Sequence, residues 1–249
     1  MTTRMLNTDF VYWVRGREYA AMAAKSMASV REIYRGGATF FVYTDDQERD
    51  WDLPGCTIVT MPGERPAMVA NLDAQCSFLM DRPGHHAPQF LFLDVDTIML
   101  KPFPWEDGVD LYVTWRDHVA VKNGEKIPGI ASLMPYNYGV VGGKIGPRTV
   151  EAFLWLRARI LQMAPKEQEW YGNQLALADL CAAPNRGDGL KIRSISWSMS
   201  DFTGTSLIIR TLPCEVWNYT PESDGEDVSD KGILHLKGPR KHLMESYAA

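Results

Sequence analysis

Two aspartates separated by one residue follow the most apolar segment of the sequence. Asp94 and Asp96 lie within QFLFLDVDTIML, residues 89–100, which is apolar on both faces as a central parallel strand is. Alternate side chains of an extended chain point to one side, so we expect the two carboxylates to lie together. Two buried anions repel each other and lose hydration, and a divalent cation would compensate them. Oxygen ligands favour Mg²⁺ or Mn²⁺, which often share their coordination shell with substrate phosphates. The alternative is that these carboxylates cap helices or pair with Lys101.

A second group of polar residues lies near the C-terminus, in ILHLKGPRK, residues 233–241. The pattern is that of a strand end passing into a glycine turn with basic residues around it. The neutral imidazole of His235 would be a good third ligand for Mn²⁺, and Lys241 with nearby backbone amides could hold phosphate. The alternative is a surface turn with incidental basic residues. Together the two motifs predict a site for a metal and a phosphate group.

The elements that would position these residues alternate along the chain. Short β-rich runs predict strands, and the helical spacing of apolar residues predicts helices between them. This alternation is typical of α/β proteins with a mostly parallel sheet and helices on its faces. The predicted strands are 10–14, 39–44, 56–61, 89–100, 111–115, 137–143, 192–195, 207–212 and 233–236. The predicted helices are 18–34, ended by Gly36 and Gly37, 67–80, 147–163 and 170–180.

Composition and charge indicate a globular chain. Of its 249 residues, 45% are hydrophobic and 23% are charged, as in ordinary globular proteins. A single α/β domain is common at this length, and no repeat or linker divides the sequence.

The formal charge of −5 means that no overall positive potential attracts the protein to a polyanion such as nucleic acid, although a local basic groove stays open. We expect no secretory signal and no transmembrane helix. The four cysteines form no CxxC pair, which predicts reduced thiols in a cytoplasmic protein.

Four motifs resemble the GT-A glycosyltransferases, in particular the retaining family 8 group that includes glycogenin and bacterial galactosyltransferases. The family's lflDaDtlvlrnld is similar to FLFLDVDTIMLKPF at 90–103, and its closing HFxGxxKPW is similar to HLKGPRKHL at 235–243, except for the final Pro-Trp. Its FNSGV is similar to YNYGV at 136–140, where Tyr138 replaces a small residue. Its DQxxLN is similar to NQLALA at 173–178, where Asn173 replaces Asp. The motifs occur in the family's order along nearly the whole chain.

The resemblance implies one GT-A domain over residues 1–249, of α/β class, with a Rossmann-like, mostly parallel mixed sheet. It implies a nucleotide-binding half over residues 10–100, ending in the DxD motif. A sugar and acceptor half would follow over residues 101–243.

The resemblance also assigns residues to the metal and the nucleotide. Asp94, Asp96 and His235 would hold Mn²⁺ (or Mg²⁺), which bridges the diphosphate of a nucleotide sugar. Val14 and Arg15 would flank the base of the nucleotide sugar, and Tyr19 would stack on it. Arg65 would contact a phosphate or the sugar, and Asp94 would also contact the nucleotide sugar. Lys241 and the amide of Gly238 would bind the departing diphosphate. A core position on a helix face is the alternative for Tyr19.

The expected chemistry follows from the leaving group. Breaking the anomeric bond places negative charge on the diphosphate and positive character on the sugar, so fixed positive charge is needed on one side. On the other side, Asn137 and Gln174 match residues that line the donor sugar, and Gln174 matches a position discussed as nucleophile or cation stabiliser. Asn173 takes the place of a catalytic carboxylate but cannot act as one, which leaves retention or inversion open. The acidic residues that could supply an anion instead are Glu169, Asp179 and Asp201.

Two other classes of protein compete for the same residues. Asp94-Val95-Asp96-Thr97 fits the DxDxT motif of haloacid dehalogenase-type phosphatases, in which Asp94 would attack phosphorus and Asp96 would act as acid and base. That motif usually ends the first core strand, whereas here several strand–helix units precede it. A non-catalytic binding module of the GT-A type is the other alternative. A sugar nucleotidyltransferase would need a glycine-rich basic loop that the sequence lacks after its first strand.

We therefore expect a metal-dependent, hexosyltransferase-like enzyme that moves a sugar from a nucleotide-diphosphate donor, a UDP-sugar, with retention. The acceptor classes that stay open are a protein, a glycan and a modified base in nucleic acid.

Overall fold

A computed structural model of the chain describes residues 7–47, 49–81, 87–116, 121–122, 125–126, 134–181, 189–195 and 205–247. The helices in this part of the chain are α1 (Arg17–Tyr34), α2 (Ala67–Asp81), α3 (Pro147–Ile160), α4 (Pro165–Trp170), α5 (Gly172–Leu180), α6 (Cys214–Trp217) and α7 (Met244–Tyr247), with a 3₁₀ helix over Gly238–Leu243. None of these described helices has both the length and the apolar character needed to cross a membrane.

The strands build one large sheet and two small ones. They are β1 (Thr8–Trp13), β2 (Ala38–Thr44), β3 (Thr57–Thr60), β4 (Gln89–Leu93), β5 (Thr97–Met99), β6 (Leu111–Trp115), β7 (Val121–Lys122), β8 (Glu125–Lys126), β9 (Tyr136–Lys144), β10 (Gly189–Ile195), β11 (Thr205–Pro213) and β12 (Ile233–His235). The large sheet has the order β10-β11-β6-β9-β4-β1-β2-β3. Strands β3, β2, β1 and β4 are parallel, β11 is parallel to β6, and β9 is antiparallel to β4 and β6.

Apolar side chains cover both faces of this sheet. On one face, Leu91 and Leu93 of β4 belong to a core with the buried side of α1. On the other face, Phe90 and Phe92 pack with helices α2, α3 and α5, and the ring of Phe92 lies 5.1 Å from that of Phe153. A strand buried on both faces has no room for polar side chains except at its ends. The chemistry of β4 is therefore confined to the point where the strand stops.

The strand predicted over residues 89–100 is interrupted at the two aspartates. Strand β4 ends at Leu93, a turn covers the next three residues, and β5 then leaves the large sheet to pair antiparallel with β12. The Thr97 hydroxyl donates to the Asp94 carbonyl oxygen at 2.8 Å and closes the turn. The prediction of one continuous strand is wrong because this local hydrogen bond competes with the extended conformation. The turn, rather than strand alternation, sets the directions of the two carboxylates.

The predicted helix over 170–180 also differs from the structure. Tyr171 has φ −138° and separates α4 from α5. A Cβ on Gly172 would lie 2.6 Å from the Glu167 carbonyl oxygen, so the two short helices meet closely at this glycine. The predicted helix over 147–163 stops at Ile160, shortly before Pro165 starts α4.

Candidate metal centre

Three side chains predicted as metal ligands meet at the carboxyl end of β4. Asp94 directly follows the strand, Asp96 lies in the turn, and His235 ends β12. Their ligand atoms all lie within 4.8 Å of one another. His235 Nε2 is 3.0 Å from Asp96 Oδ1 and 3.3 Å from Asp94 Oδ2. The structure thus brings together residues that are far apart in the sequence.

Backbone hydrogen bonds fix where these three residues lie. The pairing of β5 with β12 places His235 opposite Thr97, and the Leu236 amide donates to the Asp96 carbonyl oxygen at 2.8 Å. The Asp94 amide donates to the Gly139 carbonyl oxygen on β9 at 2.9 Å. The backbone at Asp94 is therefore tied to β9, and the backbone at Asp96 is tied to the residue that follows β12. These two hydrogen bonds limit how far the carboxylates can move.

A buried chain of hydrogen bonds orients the imidazole of His235. The Thr114 hydroxyl donates to the Asn137 carbonyl oxygen at 2.9 Å and accepts from Asn218 Nδ2 at 2.7 Å. This leaves Asn218 Oδ1 as the acceptor for His235 Nδ1, 2.8 Å away. With its proton on Nδ1, the neutral ring presents the lone pair of Nε2 to the two carboxylates, as metal-binding histidines do.

We expect Asn218→Ala to weaken Mn²⁺ binding by about 10- to 100-fold, the usual effect of removing a residue that orients a ligand. Asn218 is 2% exposed, and its side chain joins the ring of His235 to the Thr114 hydroxyl. Titration calorimetry with Mn²⁺ would measure the change. Thr220→Ala is the matched control, because the Thr220 hydroxyl donates to the backbone carbonyl of His235 and leaves the ring untouched. Equal affinities of the Asn218 variant and the unmodified protein would contradict this role.

The two carboxylates differ in their electrostatic surroundings. Burial raises the pKa of Asp94, and the charge of Asp96 acts in the same direction, against His235. Burial also acts to raise the pKa of Asp96, but His235 and Lys241 outweigh it and the pKa is lowered. The Asp96 side chain is 10% exposed, whereas the Asp94 side chain is 43% exposed. Asp96 is therefore the deeper, firmly ionised member of the pair.

This donor set suits a divalent cation. Ligands about 2.1 Å from an octahedral ion lie about 3.0 Å apart in neighbouring positions, close to the separations of Nε2 from the two carboxylates. Two carboxylate oxygens and one imidazole nitrogen match the preferences of Mn²⁺, and Mg²⁺ also takes such oxygen ligands. One side chain of the three remains half exposed, which leaves room for ligands from a substrate.

Lys241 and Tyr19 lie together beside this cluster. Lys241 Nζ is 4.0 Å from Asp96 Oδ2 and 4.5 Å from the centre of the Tyr19 ring. Tyr19 is 42% exposed, so its ring lies at the surface. The alternative prediction, a core position on the helix face, is wrong. Gly238, with φ +58°, starts the 3₁₀ helix that carries Lys241. A cation and an exposed aromatic ring thus border the cluster of Asp94, Asp96 and His235 on the α1 side.

Gly139 explains how β9 can pass so close to the cluster. A Cβ at this position would lie 2.1 Å from His235 Cε1 and 2.9 Å from Asp94 Oδ2. No side chain fits there while the ring stays in place. The glycine of the YNYGV motif is thus a requirement of the site's geometry.

The basic residues predicted to contact the nucleotide already have acidic partners. Arg15 Nε donates to Asp45 Oδ1 at 2.9 Å, and the same guanidinium donates to the Arg65 carbonyl oxygen at 2.9 Å. Arg65 Nε is 3.3 Å from Asp73 Oδ2. Val14 is fully buried, and its amide donates to the Tyr43 carbonyl oxygen, so its side chain lies in the core. Arg15, after β1, and Arg65, before α2, are thus each held by an ion pair with an aspartate.

The residues predicted to line the donor sugar have mixed placements. Asn137 Oδ1 accepts from the Gly139 amide at 3.1 Å, so this side chain supports the strand that passes the metal cluster. Gln174 Oε1, the oxygen at the position discussed as nucleophile or cation stabiliser, accepts from Arg116 Nη2 at 3.0 Å. Asn173 is 6% exposed, and its Oδ1 accepts from the Gln174 amide.

The acidic residues considered as substitutes for Asn173 are engaged elsewhere or lie outside the described residues. Glu169 accepts a hydrogen bond from the Ala67 amide at the start of α2, at 3.3 Å. Asp179 pairs with Arg159 at 2.6 Å. Asp201 falls outside the described part of the chain.

The predicted site residues do not include Arg116, Lys237 or Asn218. Burial lowers the pKa of Lys237 to about 8, and the nearby charge of Arg116 acts in the same direction. Burial also lowers the pKa of Arg116. Lys237 follows His235 by two residues, and this short separation in the sequence could have indicated that it lies near the site. Nothing in the sequence around Asn218 indicated that it would support an imidazole.

No family model and no curated protein matches the sequence. Among solved structures, the chain is similar to a glycosyltransferase involved in the glycosylation of the major capsid of PBCV-1. The two share 15% identity with a TM-score of 0.54, over 96% of this chain and 98% of the other. A likeness at this identity shows the fold alone, and it confirms the predicted α/β fold class of GT-A type with a mixed, mostly parallel sheet. It lends no support to family 8 in particular.

Proposed function

We propose that the protein is a metal-dependent glycosyltransferase that uses a nucleotide-diphosphate sugar. The observation that carries this proposal is the meeting of Asp94, Asp96, His235 and Lys241 at the carboxyl edge of the sheet in a GT-A fold. Ligands of open α/β sheets bind at that edge. The fold favours this function over the phosphatase alternative, and an intact donor set favours it over a binding module without activity.

In the proposed reaction, Asp94, Asp96 and His235 hold Mn²⁺, which supplies positive charge for the diphosphate leaving group. Lys241 and the Gly238 amide bind the phosphate oxygens on the α1 side, and Tyr19 stacks on the donor. Residues 10–100 form the nucleotide half and residues 101–243 the sugar and acceptor half. We propose UDP as the nucleotide and a hexose as the transferred group, consistent with the family that the motifs resemble.

Transfer with retention fits the placement of the acidic groups. Inversion requires a base that takes the acceptor proton on the face opposite the leaving group. In the described part of the chain, Glu169 and Asp179 are both held by other partners. On the retaining path, the acceptor oxygen attacks on the leaving-group side, the anomeric bond breaks with its electron pair on the diphosphate, and the acceptor proton passes to a phosphate oxygen. The acceptor supplies only a hydroxyl group, whether from a protein, a glycan or a modified nucleic-acid base.

A thermal-stability screen tests this function. The probes are UDP, UDP-glucose, GDP and GDP-mannose, each with Mn²⁺ and with a chelator. At a hundredfold excess over the dissociation constant, binding should stabilise the fold by about 2.7 kcal/mol, which corresponds to a shift in Tm of about 5 to 10 °C for a chain of this size. We expect this shift for the uridine probes with Mn²⁺ and its loss with the chelator. Absence of any nucleotide-dependent shift would contradict the proposal, and a shift for the guanosine probes alone would contradict the choice of UDP.

A further inference from the structure

Arg116 lies at the same edge of the large sheet as the candidate metal ligands, on the side away from β1. Strands β4 and β6 are both antiparallel to β9, which lies between them, so β4 and β6 end at the same edge. Asp94 directly follows β4, and Arg116 directly follows β6. Strand β1, at whose end the nucleotide base is predicted to bind, lies on the other side of β4. Asp94 therefore separates Arg116 from the predicted place of the base.

A buried chain of hydrogen bonds brings Lys237 to the same side. This chain runs from Thr114 on β6 through Asn218 to the ring of His235 on β12, with links of 2.7 and 2.8 Å. Arg116 lies two residues after Thr114, and Lys237 lies two residues after His235. Because the hydrogen bonds join the two strand ends, the residues that follow these strands lie near each other.

Cys214 lies beside both of these cations. Pro213, at the end of β11, is opposite Trp115, at the end of β6, so Cys214 and Arg116 follow paired residues. Burial raises the pKa of the Cys214 thiol, and the charges of Lys237 and Arg116 act against this shift. Two positive charges thus face one small region at the carboxyl edge of the sheet.

Neither cation has an acidic partner in the part of the chain that the structure describes. Arg116 Nε donates to the Met134 carbonyl oxygen at 3.1 Å, and Arg116 Nη2 donates to Gln174 Oε1 at 3.0 Å. Both acceptors are neutral, and a guanidinium group has five N–H donors. The described carboxylates form no ion pair with Arg116 or Lys237. Both residues are half-buried, so an anion from outside the chain would compensate their lost hydration.

The donor diphosphate has positive partners of its own. The metal ion would contact its oxygens, and Lys241 lies 4.0 Å from Asp96 Oδ2, beside Tyr19 of α1. Arg116 follows a strand two places away from β4, which is about 10 Å at the usual strand spacing. It also belongs to the half of the chain that we propose to bind the sugar and the acceptor. These positions favour the acceptor as the anion that the two cations meet.

We propose that Arg116 and Lys237 bind an anionic group of the acceptor, a phosphate or a carboxylate close to the hydroxyl group that receives the sugar. A guanidinium group binds such oxyanions through parallel hydrogen bonds, and an ammonium group adds a point charge. The overall charge of −5 does not attract an anion, so this pair supplies the attraction locally. The inference rests on the proposed function, because the protein has an acceptor only if a donor binds at the metal.

Titration calorimetry with sodium sulfate and with sodium acetate, at constant ionic strength, tests this pair. Sulfate represents a phosphate and acetate a carboxylate, and the protein is first saturated with UDP and Mn²⁺. We expect at least one of the two anions to bind this complex. Arg116→Gln and Lys237→Gln should each weaken that binding about tenfold, and should change the affinity for UDP less than about threefold. Lys166→Gln is the matched control, since it removes one positive charge from an exposed position on α4.

Several results would overturn the inference and leave the proposed function standing. One is that neither anion binds the complex with UDP and Mn²⁺, and another is that both variants bind the anion as tightly as the unmodified protein. Competition between the anion and UDP would assign the pair to the diphosphate. Anion binding that UDP-glucuronic acid abolishes and UDP-glucose does not would assign it to the donor sugar.

Failure of the proposed function gives a different result. If UDP itself does not bind with Mn²⁺, the proposed donor is wrong and the inference falls with it. The measurements of anion binding and of competition on the unmodified protein do not depend on the folding of any variant.

Discussion

Asp96→Asn is expected to remove Mn²⁺-dependent hydrolysis of the donor, with a loss of about 10³-fold, the upper end of what one electrostatic contact contributes in an active site. Asp96 is the buried carboxylate that faces both His235 Nε2 and Lys241 Nζ. The amide keeps the size of the side chain but removes the charge that holds a cation. Release of the nucleoside diphosphate from UDP-glucose, followed over a range of Mn²⁺ concentrations, measures the effect.

The fold should survive this substitution. The contact between Asp96 and the C-terminal strand runs through the Asp96 carbonyl oxygen, which accepts from the Leu236 amide and is present in both forms. Asp50→Asn is the matched control, because Asp50 forms an exposed ion pair with Arg17 and exposed pairs contribute little. Hydrolysis that persists in the Asp96 variant at the unmodified rate would refute the assigned metal centre.

Gly139→Ala should damage both the stability of the protein and its metal centre. The added methyl would lie 2.1 Å from His235 Cε1 and 2.3 Å from His235 Nδ1. Strand β9 cannot easily withdraw, since the Gly139 carbonyl oxygen accepts from the Asp94 amide and the Gly139 amide donates to Asn137. We expect a loss of about 1–3 kcal/mol in the free energy of unfolding, as for other overpacked sites, and loss of measurable Mn²⁺ binding. Urea unfolding and calorimetry would measure the two effects.

Two further variants show whether the clash with the ring is the cause. Gly146→Ala is the matched control, because Gly146 has φ −175° and no atom within 4 Å of an added Cβ. The double variant Gly139→Ala with His235→Ala should recover much of the lost stability, since the methyl would then occupy the space of the ring. Additive losses in the double variant would show that the damage arises elsewhere.

The sequence was sufficient to predict the fold class, which depends on strong local signals, and its motifs also predicted that Asp94, Asp96 and His235 lie together. The alternation of strands and helices indicated the α/β sheet, and an apolar strand followed by DxD marked its carboxyl edge. The break at Asp94 was missed because it arises from a hydrogen bond of the Thr97 hydroxyl, while the composition of the segment favours continuous extension. In an apolar segment, the pattern alone cannot separate one long strand from two short ones.

The supporting residues could not be predicted, because their roles depend on contacts between distant segments. Asn218 reaches the ring of His235 from the chain after α6, and Gly139 is required only because His235 passes over it. Arg65 is paired with Asp73, and its contact with phosphate or sugar stays a prediction.

The central claim is that Asp94, Asp96 and His235 bind one divalent cation that a nucleoside diphosphate shares. Crystals of the protein grown with Mn²⁺ and UDP, measured near the manganese absorption edge, test it most directly. We predict one anomalous peak within about 2.0–2.4 Å of both carboxylates and of His235 Nε2, in contact with the phosphate oxygens. A bound nucleotide with no such peak, or a manganese ion held by other residues, would contradict the claim.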